Sequence, residues 1–434
     1  VKILINSYIE YYASVDSYIK NLISKDDMGC INIQTNTSCN MSCSYCYQKS
    51  TSSGFSINDK NIDELINKIE AFFKKREEEK NNTYTKITFI GGEISINNNI
   101  IEIYRRIKKL KIKERIIFQL ITNGFYFNED FRNFLKEISS EKDLYITVSL
   151  DLKSMHNKYR LGNKQQTYDN IIGNIEYLNS LNIIVRRNIV FTKEYFGLSP
   201  LDIVNEIKST YKYFFEVFLI YEDSLMKHKL NEKEKKFLIE FYNLIKDELN
   251  YSLKNKKRFK FSTPGFSIES YIYGLVYINR NYCTAHKNTI SFSPDKNNEL
   301  IENICSRYAG VNKENKGMQI MMKNNPLHKI VKDIINNSDC CNCYLKPFCK
   351  QACFYLEFNN LHCIEFKKFL ATIHKNILKK VAKTENFFKI FVEYLKEYND
   401  EGAYNSYLQS KEFWKIRYKE ILDVNLEVNI DIQN

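Results

Sequence analysis

Thr37-Ser38-Cys39-Asn40-Met41-Ser42-Cys43-Ser44-Tyr45-Cys46-Tyr47-Gln48 is the stretch on which the reading of this 434-residue chain turns. Its three cysteines stand at C-x3-C-x2-C, just after Cys30-Ile31-Asn32-Ile33, an apolar segment that reads as a strand. A loop at that spacing can fold three thiolates around one face of an iron–sulfur cube. Four cysteines would coordinate all four irons of a [4Fe–4S] cluster; three leave one iron open to another ligand. A zinc site or chance clustering are the competing readings. Zinc prefers closed four-ligand sets, and no His lies within the loop to complete one.

Working outward, the length suggests two to three domains and ample core. Hydrophobic residues make up 44% and aromatic residues 14%, which sets the chain apart from disordered sequences. No run of 18 apolar residues is present, so no membrane span is expected. The opening Val1-Lys2-Ile3-Leu4-Ile5-Asn6-Ser7-Tyr8 lacks a long apolar stretch and a small-residue cleavage site, so a cytoplasmic location is expected. Twelve cysteines then point to metal in a reducing compartment rather than to disulfides. The formal charge of +12 invites a nucleic-acid partner. That reading is discounted: Lys, Asn, Ile and Tyr are abundant throughout, bound clusters would lower the charge, and no RNA-binding module is recognisable.

Along the chain, helical spacing at Ile62, Leu65, Ile66, Ile69, Phe72 and Phe73 predicts a helix over Ser56–Lys80. Strands are expected at Lys86–Phe89, Ile116–Thr122, Leu144–Leu150, Ile183–Phe191 and Phe214–Ile220. Helices are expected between them, near Asn99–Leu110, Asn128–Ile138, Tyr168–Leu181 and Leu201–Tyr211. Six strands alternating with helices predict a parallel α/β sheet, with chemistry gathered at the strands' C-terminal ends.

Three further motifs fall at those ends. Phe89-Ile90-Gly91-Gly92-Glu93 follows the second strand; paired glycines let backbone approach a small ligand, and a carboxylate can accept from an ammonium. Alone, the same residues make a tight turn. Ile121-Thr122-Asn123-Gly124 closes the third strand, and Ser149-Leu150-Asp151-Leu152-Lys153-Ser154-Met155-His156-Asn157-Lys158-Tyr159-Arg160 follows the fourth. A second constellation, Cys340-x2-Cys343-x5-Cys349-x3-Cys353-x9-Cys363, is preceded by Cys283 and Cys305.

Together these motifs resemble the radical S-adenosylmethionine (AdoMet) enzymes with a C-terminal SPASM domain, over roughly residues 30–365. Gly91-Gly92-Glu93 is similar to the family's GGEP motif, with Ile94 in place of Pro. The stretch from Ser149 is similar to SLDGPxxxHDxxR, with Leu152 for Gly and Asn157 for Asp. The resemblance implies a partial (β/α)6 TIM-like barrel over 29–225, after an N-terminal extension over 1–28. A helical connector over 226–275, a cysteine-rich SPASM domain over 276–365 and a helical C-terminal region over 366–434 would follow.

By resemblance, Cys39, Cys43 and Cys46 would hold the AdoMet-binding [4Fe–4S] cluster, and Tyr45, Gly91, Gly92, Glu93, Asn123, Ser149 and Asp151 would contact AdoMet. Glu93 would meet its ammonium, Ser149 its carboxylate or ribose, and Tyr45 would lie near the adenine. Asp151, His156 and Arg160 would line the substrate side; strand-end hydrogen bonding is the plainer alternative for them. Two auxiliary [4Fe–4S] clusters would be held by Cys340, Cys343, Cys349 and Cys363 (outer) and by Cys283, Cys305 and Cys353 (inner). No thiol follows Cys283 closely, so the inner cluster has an open iron or borrows Cys341 or His286. The implied activity is hydrogen abstraction by a 5′-deoxyadenosyl radical from a ribosomally made precursor peptide. A thioether crosslink is the favoured product, and a flavodoxin or ferredoxin the expected electron donor. Two alternatives stand beside it. An anaerobic sulfatase-maturating enzyme would carry Asp directly after the second SPASM cysteine, where this chain has Ser306. A non-catalytic iron–sulfur carrier would have no use for Gly91-Gly92-Glu93.

Overall fold

The alternation read from the sequence is present element by element. A computed structural model describes residues 29–46, 54–79, 84–161, 167–226, 228–255, 257–262, 289–295, 297–303 and 365–382. The chain divides into two compact units. The first comprises 1–189, 212–215 and 283–335, and the second 190–211, 216–282 and 336–434.

The first unit begins with β1 (Gly29–Gln34), α1 (Asp59–Glu78), β2 (Tyr84–Ile90), α2 (Asn99–Lys109), β3 (Arg115–Thr122) and α3 (Glu129–Ile138). β4 (Leu144–Ser149), α4 (Lys153–Tyr159), α5 (Tyr168–Ser180) and β5 (Ile184–Phe191) follow, the last running to the unit's edge. The strands lie in the order β5-β4-β3-β2-β1 and pair in parallel, as helical crossovers require. Beyond β1 the sheet gains two strands that the sequence reading did not anticipate. β8 (Thr289–Pro294) pairs with β1 in parallel, and β9 (Leu300–Asn303) returns antiparallel. Their turn carries Asn298 at φ 56°; its Oδ1 accepts from Ser56 N at 2.9 Å, fastening the hairpin to the segment before α1.

Register separates the two faces. Ile31, Ile33, Ile87, Phe89, Phe118, Leu120, Ile146 and Val148 share the face that the helices cover. Tyr104 of α2 packs there against Phe89, Phe118 and Phe134, with centroids 4.6–6.5 Å apart. The opposite face is polar: Asn32 donates to Ser291 Oγ, and Thr88, Gln119 and Thr147 form a hydrogen-bonded row. At the N-terminal edge of the strands, Arg76 grips Glu114 through Nε and Nη2 at 3.0 and 2.7 Å, with Thr85 Oγ1 donating to the same carboxylate.

The second unit contains α6 (Pro200–Ser209), β6 (Glu216–Tyr221), α7 (Asp223–Met226), α8 (Glu232–Lys254), β7 (Phe261–Ser262) and α9 (Glu365–Ala382). Ser199 caps α6 and Pro200 fills its first turn. Phe191, Phe237 and Phe241 form an aromatic core, and Tyr221 and Tyr242 join hydroxyls beneath α9, whose Phe366 lies edge-on to Tyr221. Among the described residues no helix is long and apolar enough to cross a membrane.

Candidate active site

The loop that follows β1 is bound to the C-terminal ends of three other strands, all within the first unit. Its first half is clamped by the turn after β2. Gly92 N donates to Asn36 O at 2.9 Å and Glu93 N to Ser38 O at 2.8 Å. A Cβ on Gly92 would stand 2.1 Å from Ser38 O and 2.6 Å from Thr37 O, so only glycine permits this approach.

Glu93 is 1% exposed and turned into the protein. Its carboxylate accepts from Ser95 N at 3.0 Å, Thr122 Oγ1 at 2.5 Å and Asn123 N at 2.6 Å, tying the end of β2 to that of β3. Burial pushes its pKa up while these donors pull it down. Three protein donors orient this carboxylate and leave it one further lone pair, since two carboxylate oxygens accept about four hydrogen bonds. Gly124, at φ +69°, allows the tight turn after Asn123. Asn123 reaches back to the loop, its Nδ2 donating to Asn40 Oδ1 at 2.7 Å and to Cys39 Sγ at 3.6 Å.

The second half of the loop rests on the end of α4. Ser42 N and Ser44 N donate to Leu161 O and Tyr159 O at 2.8 and 2.9 Å. Tyr45 donates its hydroxyl to Asp151 Oδ2 and accepts from Arg160 Nη1, the latter at 2.9 Å. Burial, with Asp151 adding to it, holds the Tyr45 phenol well above its ordinary pKa, so it stays a donor. Arg187, wholly buried, fixes the turn from the other side through Leu150 O and Asp151 O at 2.7 and 2.8 Å. Ser149 is half-buried at the strand end, opposite Asn188 in register.

His156 does not reach the substrate side. It is 0% exposed, its Nε2 lies 2.8 Å from Thr167 Oγ1, and its ring meets Tyr168 edge-on. Thr167 donates onward to Arg160 O, which makes Nε2 the protonated nitrogen. Burial and the charges of Arg160 and Arg187 push its pKa down to about 3.

The structure thus brings together Cys39, Cys43, Cys46, Tyr45, Gly91, Gly92, Glu93, Asn123, Ser149 and Asp151 around one loop. Cys283, Cys305, Cys340, Cys343, Cys349, Cys353 and Cys363 lie outside the described residues, as do Cys341 and His286. The sequence reading missed Arg187, whose signal was a charge at a buried phase of a strand. It also missed Asn174, which donates to Gly124 O at 2.9 Å and gave no signal at all.

The donor set fits a cluster better than a single ion. Neighbouring thiols of Cys39, Cys43 and Cys46 feel one another's charge, yet among the described residues no three His, Cys, Asp or Glu side chains converge to hold one metal ion. A closed zinc site needs its ligands around one centre, whereas a cube gives each thiolate its own iron. Burial first, with Glu93 and Cys43 adding to it, pushes the Cys39 thiol up to about 11. Cys43 is also raised by burial, with Arg160 opposing. Iron would supply the positive charge that deprotonates them.

Comparison with known proteins agrees with this geometry. Residues 33–195 match the Radical SAM superfamily. That match implies AdoMet and one [4Fe–4S] cluster as cofactors. No curated protein matches the sequence. Among solved structures, anSMEcpe with bound AdoMet is similar at a TM-score of 0.59 and 16% identity, over 85% of this chain and 96% of that one. Native anSMEcpe with bound AdoMet and Cp18Cys peptide gives 0.56 and 15%, over 91% and 99%. Streptococcus suis SuiB bound to precursor peptide SuiA gives 0.51 and 16%, over 80% and 77%. At these identities the likeness concerns the fold.

Proposed function

We propose that this chain is a radical AdoMet peptide maturase. The observation that carries the reading is the convergence of the β2, β3 and β4 strand ends on the Cys39–Cys46 loop. When bound, AdoMet and the cluster supply a 5′-deoxyadenosyl radical able to take hydrogen from carbon. The chain's own residues hold and orient. Cys39, Cys43 and Cys46 would ligate three irons, and Gly91 and Gly92, packed against the same loop, would bring their carbonyls to the AdoMet ammonium. Asn123, Ser149 and Tyr45 border the remaining parts of the cofactor. Glu93 would offer its remaining lone pair to that ammonium while it fixes the ends of β2 and β3, and Asp151 would act through Tyr45. The polar sheet face, with Asn32, Thr88, Gln119 and Thr147, offers hydrogen bonds to a peptide.

A peptide substrate is supported by the peptides seated in the anSMEcpe and SuiB structures. The cysteines from Cys283 to Cys363 would carry two auxiliary clusters, with a flavodoxin or ferredoxin as electron donor in the cytoplasm. A thioether is the favoured product: one hydrogen atom leaves carbon to the radical, the thiol gives up its proton, and the auxiliary clusters would accept the remaining electron. Formylglycine formation is the second reading; Ser306 counts against it, because a serine hydroxyl is a poor proton acceptor at neutral pH.

The experiment is mass analysis of a cysteine-containing precursor peptide after anaerobic turnover. A product lighter by two hydrogen atoms that resists thiol alkylation is expected. A modified product whose cysteines all stay free would refute the thioether, and an aldehyde on a sulfatase-derived peptide would favour the second reading.

A further inference from the structure

Arg160 follows α4 and is 5% exposed. The backbone on either side of it accepts from Ser42 and Ser44, so it lies directly against the loop segment that carries Cys43 and Cys46. Its Nη1 bonds Tyr45 Oη, and its guanidinium carbon is 5.9 Å from the centroid of the Tyr45 ring. Among the described residues no carboxylate stands within ion-pair distance of it, and its Nε has no partner. Asp151 accepts from the same Tyr45 hydroxyl.

A buried guanidinium is costly to desolvate and persists where negative charge offsets that cost. Here the phenol is neutral and Asp151 stands one side chain away. The negative charge that this field meets next is that of the cysteine loop itself: Cys43 stands between Ser42 and Ser44, whose backbone nitrogens donate to the carbonyls on either side of Arg160. Cluster potentials respond to nearby net charge and to hydrogen bonds around the sulfurs. One-electron reduction of a [4Fe–4S]2+ cluster by an external low-potential donor adds one negative charge, which a neighbouring cation stabilises.

We propose that Arg160 is a positioning residue that raises the reduction potential of the AdoMet-binding cluster, with Asp151 as the opposing charge and Tyr45 as the link that holds both against the cysteine loop. This rests on the reading that Cys39, Cys43 and Cys46 hold that cluster.

The test is a reductive titration of the full, anaerobically reconstituted chain, followed by electron paramagnetic resonance. The relevant cluster is identified as the signal that changes when AdoMet is added. Arg160→Gln should make its reduction about tenfold less favourable, a fall of about 59 mV for one electron. Arg160→Lys should retain most of the wild-type potential, and Asp151→Asn should shift it the opposite way, upward. Signals that do not respond to AdoMet should stay put in all three variants. General disruption would move Arg160→Gln and Asp151→Asn in the same direction, which overturns the proposal. An unshifted Asp151→Asn potential also overturns it, even if Arg160→Gln cannot be loaded with iron. Absence of any AdoMet-responsive signal in the wild-type chain would instead overturn the cluster reading itself.

Discussion

Two buried arginines occupy opposite ends of the same sheet and are treated differently. Arg76, at the N-terminal edge, meets the Glu114 carboxylate through two of its nitrogens, and Thr85 donates to the same group. Charge is neutralised where it arises, and the arrangement serves the fold. Arg160, at the functional end, meets a phenol, and that phenol donates in turn to the Asp151 carboxylate. Its field is left to act on the cysteine loop. Cations closed off at the bottom of a sheet and left to act at the top are what separate a stability device from a site.

The comparison breaks most easily at Arg76. Glu114→Ala removes the carboxylate that neutralises this buried guanidinium, so about 3–5 kcal/mol of stability should be lost. Chemical denaturation of the metal-free chain measures this. The AdoMet-responsive signal of whatever protein remains folded should be unchanged. A shifted signal would mean that the two ends are not independent.

A smaller effect sharpens the other end. His156 is kept neutral by burial and by Arg160 and Arg187, with a folded pKa of about 3. Unfolded, it takes a proton near pH 6.5. Between those values the unfolded state binds more protons, so this contribution to stability is present above pH 6.5 and is lost as the pH falls. From pH 6.5 to 5.5 the loss should be about 1 kcal/mol. His156→Gln should flatten that slope in denaturation midpoints measured across the range; an unaltered slope would contradict the buried, neutral assignment.

Much of this was readable beforehand, for identifiable reasons. The strand and helix order follows from alternation at segments such as Ile31–Ile33 and Ile87–Phe89 and from helical spacing at Ile62–Phe73, where burial dictates residue type. The glycines at 91 and 92 were legible because close backbone approach leaves no other choice. The α4 helix was not legible, since seven largely polar residues show no period. The β8–β9 hairpin was hidden because its partner β1 lies more than 250 residues away. Glu93 shows a further limit. Its position in the chain marks the site, but only the fold reveals that its carboxylate turns inward to Ser95, Thr122 and Asn123.

The most direct measurement of the central claim replaces Cys39, Cys43 and Cys46 together with alanine in the full chain. Iron is then counted after anaerobic reconstitution, and AdoMet cleavage is assayed under reducing conditions. Wild-type protein should hold about 12 irons, from one AdoMet-binding and two auxiliary four-iron clusters, and the variant about four fewer. The variant should release no 5′-deoxyadenosine. Undiminished iron together with surviving cleavage would contradict the assignment of the active centre to the loop after β1.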